Sequence, residues 1–137
     1  MPILARLVES EAILPLRTRC REELNCQIVH DSIHRRAGGT RSYELEQDGV
    51  VAGFGSVAVA GPWQDRPTLF EFYLLSEFRS RAFELFEVFL AASGSRYFEV
   101  QSDDALLTAL RRPYGDVYIE VWSPIDDRVL AVTSCRN

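Results

Sequence analysis

The dipeptide Asp48-Gly49 constrains the fold most. It sits between Arg41–Gln47, where apolar and polar residues alternate, and Val50–Ala60, rich in β-formers. Asp-Gly between two such runs is the strongest short-range signal for a two-residue β-hairpin, because both residues accept positive φ. Gly53 and Gly55 in the returning strand predict a bulge or a close backbone approach. A central antiparallel hairpin is therefore the first element, and the rest of the chain must cover it.

The flanking segments supply the cover. Ile3–Leu7 reads as a short strand. Glu11–Leu24 reads as a helix behind Ser10 as N-cap, with Ile13, Leu14, Leu16, Cys20 and Leu24 at helical spacing. A second helix is predicted over Cys26–Arg36, capped by Asn25 and ended by Gly38-Gly39. Gly61–Pro67 is a loop, and Thr68–Leu75 a strongly apolar strand. Arg81–Ala92 is an amphipathic helix, Arg96–Gln101 a strand, and Asp104–Arg111 a short helix. Val117–Trp122 and Arg128–Thr133 form a closing hairpin across 124–127. The order β-α-α-β-β-β-α-β-α-β-β defines a mixed α/β (α+β) layered domain, mostly antiparallel, spanning residues 1–137 as one unit.

Composition narrows the function. The formal net charge is −5, and all 15 basic residues are arginine. An acidic balance argues against a nucleic-acid partner, which calls for concentrated positive charge. The absence of lysine excludes a Schiff-base or Walker-type lysine. No apolar run approaches the roughly 20 residues of a membrane helix, and the N-terminus lacks a signal-peptide pattern. Cys20, Cys26 and Cys135 are too few for a disulfide framework and have no evident base partner, so they read as structural, and a reducing cytoplasm is the expected location.

The stretch from Thr68 to Leu110 carries the chemistry. A strand, TLFEFYLL, leads into SEFRSRAFELFEVFLAASG, followed by YFEVQSDDALLTAL. Together with the element order, this resembles the GNAT acyltransferase superfamily over nearly the whole chain. That family's fourth strand feeds an Arg/Gln-x-x-Gly-x-Gly/Ala loop that opens a helix and binds the pyrophosphate of acetyl-CoA. Helix N-terminal N–H groups and the helix dipole favour an anion there. Here Arg79 stands at the first signature position, Ala82 replaces the first glycine and Glu84 the second small residue. Glu84 either repels the phosphates or points away. The resemblance implies acetyl-CoA as co-substrate, its carbonyl near the backbone of Leu74 and Leu75, and its phosphates at Arg79, Ser80, Arg81, Ala82, Phe83 and Glu84. The alternative for this segment is a polar helix start followed by core apolar residues, with Phe83, Phe86, Val88 and Phe89 facing inward.

Glu71 interrupts an apolar strand. Either it faces a cleft, where desolvation raises the pKa of a carboxyl, or it is a surface or arginine-paired carboxylate. The resemblance implies the former: a base that deprotonates an amine acceptor before attack on the thioester. The family's thiolate-protonating tyrosine falls on Leu110, seven positions after Asp103, so that acid is missing; Tyr114 and Tyr73 are unranked substitutes.

His30, His34 and Cys26 lie one helical turn apart, a spacing that admits a metal. The zincin pattern requires Glu after the first histidine, where this chain has Asp31, so no metal is expected. The resemblance places the first two helices along the acceptor site, which makes His30 and His34 substrate contacts. Trp63, with Asp65, either frames the amine or forms a lid over the sheet. The implied activity is acetyl transfer from acetyl-CoA to a small-molecule or peptide amine by direct attack, with a homodimer left open. The alternative is a non-catalytic GNAT-like module that binds CoA or a protein partner.

Overall fold

The computed structural model describes residues 2–24, 34, 38–101, 105–111, 115–123 and 128–135. Among them, β1 (Ile3–Val8), β2 (Thr40–Gln47), β3 (Val50–Ala58), β4 (Thr68–Leu74), β5 (Tyr97–Gln101), β6 (Gly115–Ser123) and β7 (Arg128–Cys135) form one sheet in the order β1-β2-β3-β4-β5-β7-β6. Every neighbouring pair is antiparallel except β4 and β5. The helices are α1 (Leu14–Leu24), α2 (Ala82–Ser93) and α3 (Ala105–Arg111). The helix expected over residues 26–36 lies outside the described residues except for His34, which is helical.

The Asp48-Gly49 hairpin forms as predicted, with φ of 55° and 80° at the two turn residues. The register of β2 and β3 shifts beyond Leu45↔Gly53, so the glycine-marked bulge is present. A Cβ on Gly53 would overlap the Tyr73 carbonyl oxygen, and one on Gly55 would overlap the Phe89 ring. Both glycines are therefore required by close approach.

One expectation changes. The first helix does not begin at Glu11: Ser10–Ile13 is a 3-10 turn and α1 starts at Leu14. Pro15 lacks the N–H that would bond back to the Glu11 carbonyl, so a continuous α-helix cannot run through that point. The cap position accordingly falls on Glu9, without a side-chain hydrogen bond, rather than on Ser10.

The sheet has two unlike faces. On one, Ala82, Leu85, Phe86 and Phe89 of α2 and Leu107 and Leu110 of α3 pack on Tyr43, Leu45, Phe72, Leu74 and Phe98. The aromatic rings interlock, Phe72 lying 5.0 Å from Phe86 edge-on and 5.8 Å from Phe89. Two residues depart from their expected inward positions: Val88 is half-buried, and Phe83 lies outside the core. It is 54% exposed, because the buried stripe runs through 82, 85, 86, 89 and 93 and position 83 falls at its edge, a turn before the exposed Glu87. Gly94 ends α2 at φ 65°, its N–H bonded to the Leu90 carbonyl. On the other face, Ile13 and Leu16 pack on Phe54 and Tyr73, with Cys20 half-buried against them.

Candidate active site

Two features of β4 create the candidate site. First, β4 is bulged. Ser56 pairs with Glu71 but Val57 pairs with Leu69, leaving Phe70 as the extra residue. Two residues opposing one across a bulge re-aim their side chains. Glu71 shares a sheet face with its register partner Ser56, away from the Phe72–Phe89 core. Second, β4 and β5 pair only at Thr68↔Tyr97 and Leu69↔Phe98. Beyond Leu69 the two strands part. Ser95 fastens the point where they meet: its hydroxyl accepts from the Leu69 N–H at 3.1 Å and lies within donating distance of the Pro67 and Tyr97 carbonyls.

Glu71 is 7% exposed, and its Oε1 lies 2.5 Å from Nε2 of His34. The two side chains are 9% and 4% exposed. The His34 ring stands 5.3 Å from Phe70. A carboxylate in an apolar strand is costly unless hydrogen-bonded, and His34 supplies that bond. A histidine is thus one partner of this carboxylate. Nδ1 of His34 is buried without a hydrogen-bond partner, as are the hydroxyls of Ser42 and Ser56. Ser42 pairs with Ser56 and Ser56 with Glu71, so these three side chains form a row across β2, β3 and β4.

A second buried carboxylate joins this face. Glu99 on β5, 7% exposed, accepts a hydrogen bond from Nε1 of Trp63 at 3.0 Å, and Trp63 packs on Phe70 and Ala58. Trp63 thus belongs to the same neighbourhood as Glu71, tied down by its own carboxylate. Glu99 is absent from the sequence-based candidates. Its signal was available: a carboxylate alternating with Phe98 and Val100 on a strand, the same pattern that singled out Glu71.

The helix entrance differs from a bare anion loop. Residues Ser76–Arg81 form a 3-10 turn, and α2 begins at Ala82. Arg79 donates from Nε to the Leu74 carbonyl at 3.0 Å, places its guanidinium 5.6 Å from the Tyr73 ring centre, and pairs with Glu23 at 2.5 Å. Arg81 pairs with Glu84 at 2.5 Å, which holds the Glu84 carboxyl below its ordinary value. Glu84 thus carries its own counter-charge. Ser80 is exposed and Ala82 buried, while Leu75 is half-buried.

Tyr73 donates its hydroxyl proton to Glu23 at 2.7 Å. Burial, reinforced by Glu23, pushes its pKa up to about 12. A phenol so held is a poor proton donor to a thiolate with a pKa near 8.5, which weighs against Tyr73 as the missing acid. Leu110 is buried in the core; Asp103 and Tyr114 lie outside the described residues, as do Cys26 and His30. Among the described residues no group of three His, Cys, Asp or Glu is placed to hold a metal ion, and no helix is long and apolar enough to cross a membrane.

The Tyr73 bond first, and Arg79 second, holds the Glu23 carboxyl below its ordinary value of 4.5. A carboxyl depressed in the folded state stabilises above its unfolded pKa, and that contribution is lost as pH falls through the folded pKa. Glu23→Gln is expected to lower the melting temperature by about a degree or two at pH 7, since the Arg79–Glu23 pair is half-exposed. Melting curves of the variant and wild type should draw together as pH falls below 4.5 and through the lowered folded value.

No protein-family model matches the chain, and no curated protein matches it in sequence. Solved structures do match. A protein assigned to the GNAT acetyltransferase family from Desulfovibrio desulfuricans is 12% identical, with a TM-score of 0.62 covering 97% of this chain and 99% of that one. An IAA acetyltransferase from Bacillus cereus is 13% identical, with a TM-score of 0.61 over 98% and 99%. A spermidine N-acetyltransferase from Vibrio cholerae, in complex with CoA and spermine, is 9% identical, with a TM-score of 0.59 over 96% and 93%. The fold of this chain is GNAT-like.

Proposed function

We propose that the protein is an N-acetyltransferase that moves an acetyl group from acetyl-CoA to an amine by direct attack. The observation that carries this reading is the buried Glu71–His34 pair on the β4 bulge, beside the gap where β4 leaves β5. An amine is mostly protonated at neutral pH and must lose a proton to become nucleophilic. Glu71 centres the group that accepts it. The β4 backbone at Leu74 and Leu75 would bind the thioester arm, and residues 79–84, at the opening of α2, the pyrophosphate. Trp63 and the histidines would border the amine. The similar structure that holds CoA and spermine supports a CoA thioester with an amine acceptor. Positioning and stabilisation of the developing oxyanion would supply most of the rate gain.

The ion pairs at the α2 entrance favour one second reading, a GNAT-like module without catalysis. Arg79 and Arg81 are already matched with Glu23 and Glu84, so a phosphate must compete for both arginines. Calorimetry with acetyl-CoA separates the two. The enzyme reading expects saturable binding and a rise in melting temperature that Arg79→Ala reduces; a melting curve unmoved by saturating acetyl-CoA removes its main support.

A further inference from the structure

We infer that His34, rather than Glu71 itself, is the atom-level proton acceptor: the acceptor ammonium gives its proton to Nδ1 of His34, while Glu71 orients and charges the ring. This rests on the acetyl-transfer reading and divides the labour within its base. An ionised carboxylate only accepts hydrogen bonds, so the imidazole nitrogen facing it must carry the hydrogen. Nε2 faces Glu71 at 2.5 Å. In the neutral ring the lone pair then lies on Nδ1, and Nδ1 is buried without a hydrogen-bond partner. A buried acceptor left unmatched is expensive, and an N–H of the substrate would satisfy it. Glu71 has spent its Oε1 on His34, whereas Nδ1 presents a basic lone pair with nothing on it. The Ser56 hydroxyl, next to Glu71 in the sheet register and also unmatched, gives the same neighbourhood a second acceptor for an ammonium's remaining N–H groups.

In this step an N–H bond of the ammonium breaks and an Nδ1–H bond forms. The resulting imidazolium is held by the Glu71 carboxylate. The amine keeps the electron pair and forms a C–N bond to the thioester carbonyl carbon. The C–S bond then breaks, its pair leaving on the CoA sulfur. The sulfur takes up one proton while the new amide nitrogen releases its second, so one proton per turnover passes from His34 to solvent.

The test has two parts. Protein labelled with 15N-histidine, compared with a His34→Gln sample to assign the ring, reports which nitrogens carry hydrogen. At neutral pH, Nε2 should be protonated and Nδ1 bare. A proton on Nδ1, in either the other tautomer or an imidazolium, overturns the proposal. In the second part, His34→Gln keeps an N–H donor for Glu71 but has no base. With acetyl-CoA and spermidine or a panel of primary amines, kcat should fall by about 10²- to 10⁴-fold, with acetyl-CoA affinity unchanged by calorimetry. Retention of kcat within a few-fold would show that Glu71 acts without the ring. If wild-type protein neither binds acetyl-CoA nor acetylates any of these amines, the acetyl-transfer reading fails and takes His34's role as its base with it. Should His34→Gln not fold, the wild-type tautomer decides.

Discussion

Glu71→Gln is expected to fold, to bind acetyl-CoA with wild-type affinity, and to turn over about 10²- to 10⁴-fold more slowly, the usual contribution of a positioned base. Glutamine keeps the shape and can accept the Nε2–H hydrogen bond that Glu71 makes with His34. It cannot carry the negative charge that draws a proton onto the imidazole. The loss should shrink as pH rises towards the amine's own pKa, near 10 for an alkyl ammonium, because the amine then arrives already deprotonated. A pH series of kcat for both proteins checks this. A loss of constant factor at every pH would mean that Glu71 positions the substrate and takes no part in proton removal. Unfolding of the variant would instead make the pair a structural element of the sheet.

Phe89→Ala should produce the largest loss of stability among single substitutions in the α2 face of the core. The ring is fully buried, stands 5.4 Å from Tyr43 and 5.8 Å from Phe72, and fills the space that Gly55 leaves open on β3. Truncation of a buried Phe to Ala typically costs 3–5 kcal/mol, so the melting temperature should drop by on the order of 10 °C for a domain of this size. Urea denaturation gives the free energy directly. A cost below about 1 kcal/mol would mean that α2 settles onto β3 and closes the cavity. The effect reaches the site because the same α2 begins at Ala82, where the pyrophosphate is proposed to bind. Gly55→Ala tests the complementary half of the contact, since a methyl there displaces the ring that Phe89→Ala removes.

The elements were legible because each rests on local physics. Asp48-Gly49 admits positive φ at both residues, so the hairpin needs no distant partner to be specified. Ala82, Leu85, Phe86 and Phe89 repeat at helical spacing, so α2 announces its buried stripe. Where local rules meet a competing one, the structure departs from them: Pro15 removes a backbone donor and delays α1, and Phe83 shares the composition of the stripe without its angular position. Glu71 was visible as a carboxylate among apolar neighbours, and Glu99 offered the same signal without being taken up.

What the sequence determined by itself is therefore, among the described residues, the set of strands and helices, their order, and the presence of a charged residue where an apolar strand should have none. The partners of that charge belong to the tertiary structure. His34 and Glu71 lie 37 positions apart, Trp63 and Glu99 36 apart, and Glu23 meets Tyr73 across 50; no periodicity links such pairs. The β4 bulge sets the register at Glu71, and β4 parts from β5 after two paired positions. Register and strand divergence arise from packing the whole sheet at once, because a one-residue slip exchanges every side chain between its two faces. Only the assembled sheet could decide that Arg79 would turn to Glu23 and the Leu74 carbonyl, and that the buried carboxylate would meet an imidazole.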